Sequence, residues 1–188
     1  PGHVVPEPFT AAWLARPWQD VVVPVTSTGT DEVQVWTERF TCTSSNWSQP
    51  QAVTLSGVDD AVDDGYQDTT VTLTVVDATP DQLDAHTADQ TVTITTSDDD
   101  TAAFTLSTTT GTVTEAGGTD TFTVVLGAQP SSDVVVSVTS TDTGEVSVSP
   151  ESLTFTSSNW STPQAVTLTG VYDSVDDGDH DTTVTLSV

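Results

Sequence analysis

Three runs of aspartate carry the chemistry open to this chain. Asp59-Asp60-Ala61-Val62-Asp63-Asp64-Gly65 and Asp173-Ser174-Val175-Asp176-Asp177-Gly178-Asp179 are near copies of each other, and Asp98-Asp99-Asp100 forms a third run. Adjacent ionised carboxylates repel one another unless a cation intervenes. A hard divalent ion such as Ca2+ takes about six to eight oxygens at about 2.3–2.6 Å, and carboxylates with backbone carbonyls supply them. Irregular loops suit the loose geometry of Ca2+ better than the strict octahedron of Mg2+. Zinc and copper lack the His or Cys partners they favour. The competing reading is a solvated acidic surface of the kind salt-adapted proteins display. Clustering at loop ends in both copies favours the metal.

The charge balance narrows the partners. The formal net charge is −26, from 28 acidic and 2 basic residues. The basic pair is Arg16 and Arg39, and there is no lysine. Such a chain cannot hold nucleic acid by neutralising phosphates. Direct docking on an anionic membrane fails on the same ground, and no apolar run is long enough for insertion. Cys42 is the sole cysteine, so no disulfide closes within the chain, and the matching position in the second copy is Phe155. Cys42 therefore reads as a small buried apolar residue.

The acidic runs sit in a duplicated frame. Residues 20–75 realign on 133–188 without a gap, with about 40 of 56 positions identical. Two repeats follow, 1–100 and 101–188, with the first divergent or truncated at its start and the second truncated at its end. Whole-domain repetition builds length, spacing or multivalency more readily than one unique active site. Threonine makes up about a fifth of the chain, which suits strands with a solvated face. Apolar residues alternate with period two at 90–95, 121–126, 134–139, 165–169 and 182–188, which predicts strands. Gly117-Gly118, Pro130-Ser131-Ser132-Asp133 and Asp142-Thr143-Gly144 mark turns between them. Only 9–18 hints at helical spacing, and Pro8 and Pro17 break it. The fold class expected is all-β: tandem antiparallel β-sandwiches of Ig-like type, stacked end to end with almost no linker.

Trp47 and Trp160 occupy matching places beside the two asparagines, Asn46 and Asn159. The tryptophans read as sheet-edge or core anchors rather than sugar-stacking platforms. Both asparagines fit the N-glycosylation acceptor pattern, yet a turn-forming role is the simpler account. The first copy carries Trp13, Trp18 and Trp36 where the second has Leu126, Ser131 and Ser149. That difference is either a contact surface or plain divergence.

Glu115-Ala116-Gly117-Gly118, Leu153-Thr154-Phe155-Thr156 and the stretch 171–178 together resemble a Calx-β repeat. So do 58–65 followed by Val92-Thr93-Ile94 and the aspartate triplet. The resemblance covers nearly all of the chain after about the first 20 residues, and is greatest to the arrays on bacterial surface proteins. It implies calcium held in the first repeat by Asp59, Asp60, the Val62 carbonyl, Asp64, Asp98, Asp99 and Asp100. In the second repeat it implies Glu115, Asp142, Asp173, the Val175 carbonyl and Asp177. The sequence departs from that pattern in places: Gly2 and Gly29 stand where Glu115 and Asp142 do, with Asp31 a substitute for the latter, and Tyr172 replaces Asp59.

The function expected is a calcium-binding structural or adhesive module of an extracellular or cell-surface protein. Its partners would be neighbouring repeats, with a homo-oligomer or filament possible through exchange of a strand between subunits. A calcium-sensing regulatory module is the alternative, set back by the lack of basic or apolar docking stretches. Catalysis is not expected. Paired carboxylates could serve a glycosidase, but these are dense on loops, and His3, His86 and His180 differ in context between the copies.

Overall fold

A computed structural model describes residues 7–12, 16–76, 88–175 and 178–188. Among them there are strands and no helix. Two compact units emerge: Pro1–Asp60 with Asp64–Asp99, and Ala61–Asp63 with Asp100–Val188.

The first unit contains β1 (Glu7–Ala11), β2 (Val21–Ser27), β3 (Val33–Val35), β4 (Arg39–Cys42), β5 (Gln51–Gly57), β6 (Gln67–Leu73) and β7 (Gln90–Thr96). They form antiparallel sheets in the orders β1-β5-β3 and β4-β2-β6-β7. The second unit contains β8 (Phe104–Leu106), β9 (Thr119–Leu126), β10 (Val134–Ser140), β11 (Val146–Ser149), β12 (Ser152–Phe155), β13 (Gln164–Gly170) and β14 (Val184–Ser187). Its sheets run β11-β13-β9-β8 and β12-β10-β14. Each unit is thus a β-sandwich. The stretch 9–18 is not helical where described: Phe9 and Ala11 lie in β1, paired with Val53 and Gln51 of β5. Cross-strand pairing there overrides a weak helical spacing that prolines already interrupt.

Alternation builds both cores. Val21, Val23 and Val25 of β2 point inward against Val53 and Leu55 of the facing sheet, with Cys42 buried beside them. Burial pushes the Cys42 thiol up from its usual value, which keeps it protonated and unreactive. In the second unit Val136 and Val138 play the β2 part, with Phe155 in the place of Cys42 and Val166 opposite.

The asparagine loops repeat in detail. Asn159 Oδ1 accepts from Thr156 N (2.6 Å), and its amide donates to Thr154 O (3.2 Å). Asn46 makes the same pair with Thr43 N (2.6 Å) and Thr41 O (3.0 Å). The amide therefore closes a turn, and Trp47 and Trp160 sit half-buried on it. Asn159→Ala should cost about 1–2 kcal/mol, because it strands a half-buried backbone donor. Ser161→Ala, which removes the acceptor pattern but not those bonds, should leave the melting temperature unchanged. Equal destabilisation by the two variants would refute the turn role.

Candidate functional site

Strand register delivers carboxylates to one place in the first unit. Val33 pairs with Gly57, and the Val58 amide donates to the Glu32 carbonyl (2.9 Å). Glu32 is thereby locked beside the loop that carries Asp60. Gln67 pairs with Thr96, and the same register carried two residues outward sets Gly65 against Asp98. The Gly65 amide donates to Asp98 Oδ2 (2.8 Å), with Gly65 at φ +74°, a conformation that L side chains rarely adopt.

The result is a cluster of Glu32, Asp60 and Asp64. One carboxylate oxygen from each lies within 4.8 Å of the others. Glu32 is half-buried, and the two aspartates are exposed. Its carboxyl is held above the usual Glu value, first by burial, then by the charges of Asp64, Asp60, Asp31 and Asp98. Repulsion at this spacing ranges from about 1 kcal/mol per pair in water to a few kcal/mol at the effective dielectric near a protein surface. The cluster offers three hard oxygen donors, which is part of the roughly six to eight that a cation of Ca2+ type takes.

Of the residues expected from sequence, Asp60 and Asp64 belong to this group. Asp98 reaches it through Gly65 and through its charge on Glu32. Asp59 and Asp99 are exposed and outside the group, while Val62 and Asp100 fall in the second unit. Glu32 was not among the expected ligands. Its signal lay in the repeat: Glu32 realigns on Glu145, a carboxylate kept in both copies where Asp31 becomes Gly144.

In the second unit the expected residues do not gather, among the described residues, into such a group. Glu115 is exposed in a turn. Asp142 Oδ1 accepts from Gly144 N (2.9 Å) and Asp173 Oδ1 from Val175 N (2.7 Å), so both carboxylates brace their own loops. Val175 is exposed, and Asp177 lies outside the described residues. Glu145 keeps the backbone frame of Glu32, its carbonyl accepting from Val171 N (2.8 Å). Trp18 and Trp36 are exposed, and the Trp36 indole donates to Ser56 Oγ (2.9 Å). Trp13 lies outside the described residues.

No family model matches the chain, and no curated protein does. Among solved structures, the S-layer protein rSbsC(31-844) aligns over 88% of this chain at 17% identity with a TM-score of 0.39. The surface layer protein SbsC, domains 1-6, aligns with the same coverage, identity and score. The chain spans 18% of the length of each. A likeness of that size assigns no activity. No helix among the described residues is long and apolar enough to cross a membrane.

Glu32 gives the site a pH signature. Because its folded value is raised, the folded state binds the proton more tightly than the unfolded chain does. Stability in chelator should therefore rise as pH falls from 7 through the Glu32 transition towards the ordinary Glu value. Glu32→Gln should melt higher than the parent at pH 7, and the gap should close near pH 4.5. Thermal melts of both proteins across that range check it. A gap that does not change with pH would refute the repulsion.

Proposed function

We propose that this chain is a calcium-binding structural or adhesive repeat module of Calx-β type, belonging to a large extracellular or cell-surface protein. The observation that carries the reading is the convergence of Glu32, Asp60 and Asp64 within 4.8 Å. The raised Glu32 carboxyl is consistent with it: burial raises it first, and the charges of Asp64, Asp60, Asp31 and Asp98 add to that. The duplication supports a structural role, because the same sandwich and the same Asn-Trp loops are built twice.

Glu32, Asp60 and Asp64 would hold the ion, with Asp98 adjacent. A bound divalent cation supplies positive charge where the fold concentrates negative charge. The chain's own part is positional. The Glu32 carbonyl bonded to Val58 fixes the loop after β5, and Gly65 bonded to Asp98 fixes the end of β7. An ion gripped by those carboxylates therefore couples the β3 edge, the β5–β6 loop and the β6–β7 pair. Removing it returns the repulsion and loosens those loops. On a cell surface, where calcium is abundant, the module would stay stiff.

Calcium at about 100 times its dissociation constant should stabilise the first unit by about 2.7 kcal/mol. For a domain of this size that is a rise of several degrees or more in melting temperature. A chelator should reverse the rise, and Mg2+ should give less. Asp60→Asn with Asp64→Asn should abolish it without unfolding the protein, since both side chains are exposed. Calorimetric titration and thermal melts check this. Equal stabilisation by calcium in the double variant, or by sodium at matched ionic strength, would leave only a salt-adapted surface.

A further inference from the structure

One sheet face of the first unit is free of charge and carries a tethered tryptophan. Strand alternation turns Pro8 and Thr10 of β1, Thr54 and Ser56 of β5, and Gln34 of β3 away from the core, with Trp36 just past the end of β3. The ladder sets them in rows, Pro8 opposite Thr54 and Gln34 opposite Ser56. The Trp36 amide donates to the Thr54 carbonyl (3.0 Å), which extends the first row to the tryptophan. Thr54 N donates to Thr37 Oγ1 (3.2 Å) and closes the ladder beside it. None of these six outward residues is charged, in a chain with 28 acidic residues.

The second unit builds the same face without the indole. Ser147 pairs with Thr169, and Ser149 with Thr167, which pairs in turn with Thr121. Ser149 stands where Trp36 stands in the first copy. A sandwich of this sequence therefore forms with serine there, and folding does not call for the ring. Yet the ring is not loose. Its Nε1 donates to Ser56 Oγ (2.9 Å), one row along β5, while the residue stays 67% exposed. The indole's only donor is thus satisfied on the sheet. The ring leans over the face and keeps its outer side open to solvent.

We propose that this face, centred on Trp36, binds an uncharged polysaccharide of β-linked hexopyranose rings, of the glucan or N-acetylglucosamine-polymer class. In an all-equatorial sugar ring the axial C–H bonds give each side an apolar patch, which a flat indole covers. The hydroxyls of Thr54 and Ser56 and the amide of Gln34 lie beside the indole, where the sugar's equatorial hydroxyls project. An indole already tethered loses little freedom on binding. Charge selects the occupant. An anionic glycan would meet a chain of net charge −26. A cationic partner would need carboxylates around the ring, and the six residues supply none; the nearest along the chain are Glu32, in the acid cluster, and Glu38, past the strand end. A protein partner would cover a continuous apolar patch, whereas the residues beside this indole are mostly hydroxyl and amide.

The face rests on the β1-β5-β3 ladder and not on an ion. The test is therefore run in chelator, and its failure would leave the calcium reading untouched. The full 188-residue chain is titrated with cellohexaose and, in a separate arm, with the N-acetylglucosamine hexamer. The expected result is saturable binding of at least one of them, and the arm that saturates at lower concentration identifies the sugar. By NMR the Trp36 indole N–H and the amides at 34–36 and 54–56 should shift, and those at 147–149 and 167–169 should not. Affinity should stay the same between about 0.05 and 0.5 M salt, since no charge takes part. Trp36→Ser, which copies the second unit, should weaken binding about tenfold or more and leave the melting temperature unchanged. The proposal is overturned if neither sugar moves the indole at about 10 mM, or if Trp36→Ser binds as well as the parent. It is also overturned if carboxymethylcellulose, the anionic derivative of the glucan, binds equally well. A lower melting temperature in Trp36→Ser would give the ring a structural role instead. An indole resonance that moves with protein concentration alone would make the face a contact between copies of this chain, and either result sinks the sugar site.

Discussion

Antiparallel register forces like charges together in this protein, and the behaviour of the site follows from that conflict. The ladder between β3 and β5 cannot form without placing Glu32 against the Asp60 loop. The ladder between β6 and β7 cannot form without placing Asp98 against Gly65. Backbone bonds and buried valines favour both ladders, and carboxylate repulsion opposes them. Glu32 feels both effects: burial first, and then the neighbouring carboxylates, hold its proton more tightly than in an ordinary glutamate. A site of this kind is not built by attraction between its members. It is imposed by strands whose stability lies elsewhere, and is open to any ion that relieves the strain.

The two copies form a natural comparison in which sequence is nearly constant and neighbours differ. Thr182 and Thr183 repeat Thr69 and Thr70, yet only the latter pair is strand, because β7 lies alongside only there. β-propensity is therefore permissive at these threonines, and the ladder partner decides. The loops behave in the opposite way. The Asn46 and Asn159 turns close through local bonds of nearly the same length and need no distant partner. The Asn-Trp turn thus carries over between the copies because it closes on local bonds alone.

Much of this was legible beforehand. Period-two alternation in valine and threonine marks the strands, and the internal repeat marks the duplicated sandwich. The turn role of both asparagines follows from their placement in polar loops. Asp60 and Asp64 are legible as candidate ligands because they bracket a loop of acids. Glu32 is harder to see. It lies outside the aspartate runs, between Asp31 and a buried valine, and only strand pairing brings it to the acids of a loop more than 25 residues away. Its retention as Glu145, in a stretch where the residues around it change, is the one linear trace of that contact. Asp142 and Asp173 show the reverse limit. Their type and spacing suit a metal, but their oxygens accept from Gly144 and Val175 in their own loops. A linear reading cannot distinguish a carboxylate that braces its turn from one that faces a neighbour.

The thinness of the core gives these electrostatic terms their weight. The first cluster is mostly valine, with two leucines and a cysteine, and no aromatic side chain is fully buried in it. Valine buries less apolar area than leucine or phenylalanine, so each contact contributes less. Domains are stable by only about 5–15 kcal/mol in any case. Against that margin, repulsion of even a few kcal/mol among Glu32, Asp60 and Asp64 is a large fraction of the total. A better-filled core would absorb the repulsion and make the cluster incidental. In this small valine core the charge state of three carboxylates can set how firmly the sandwich holds.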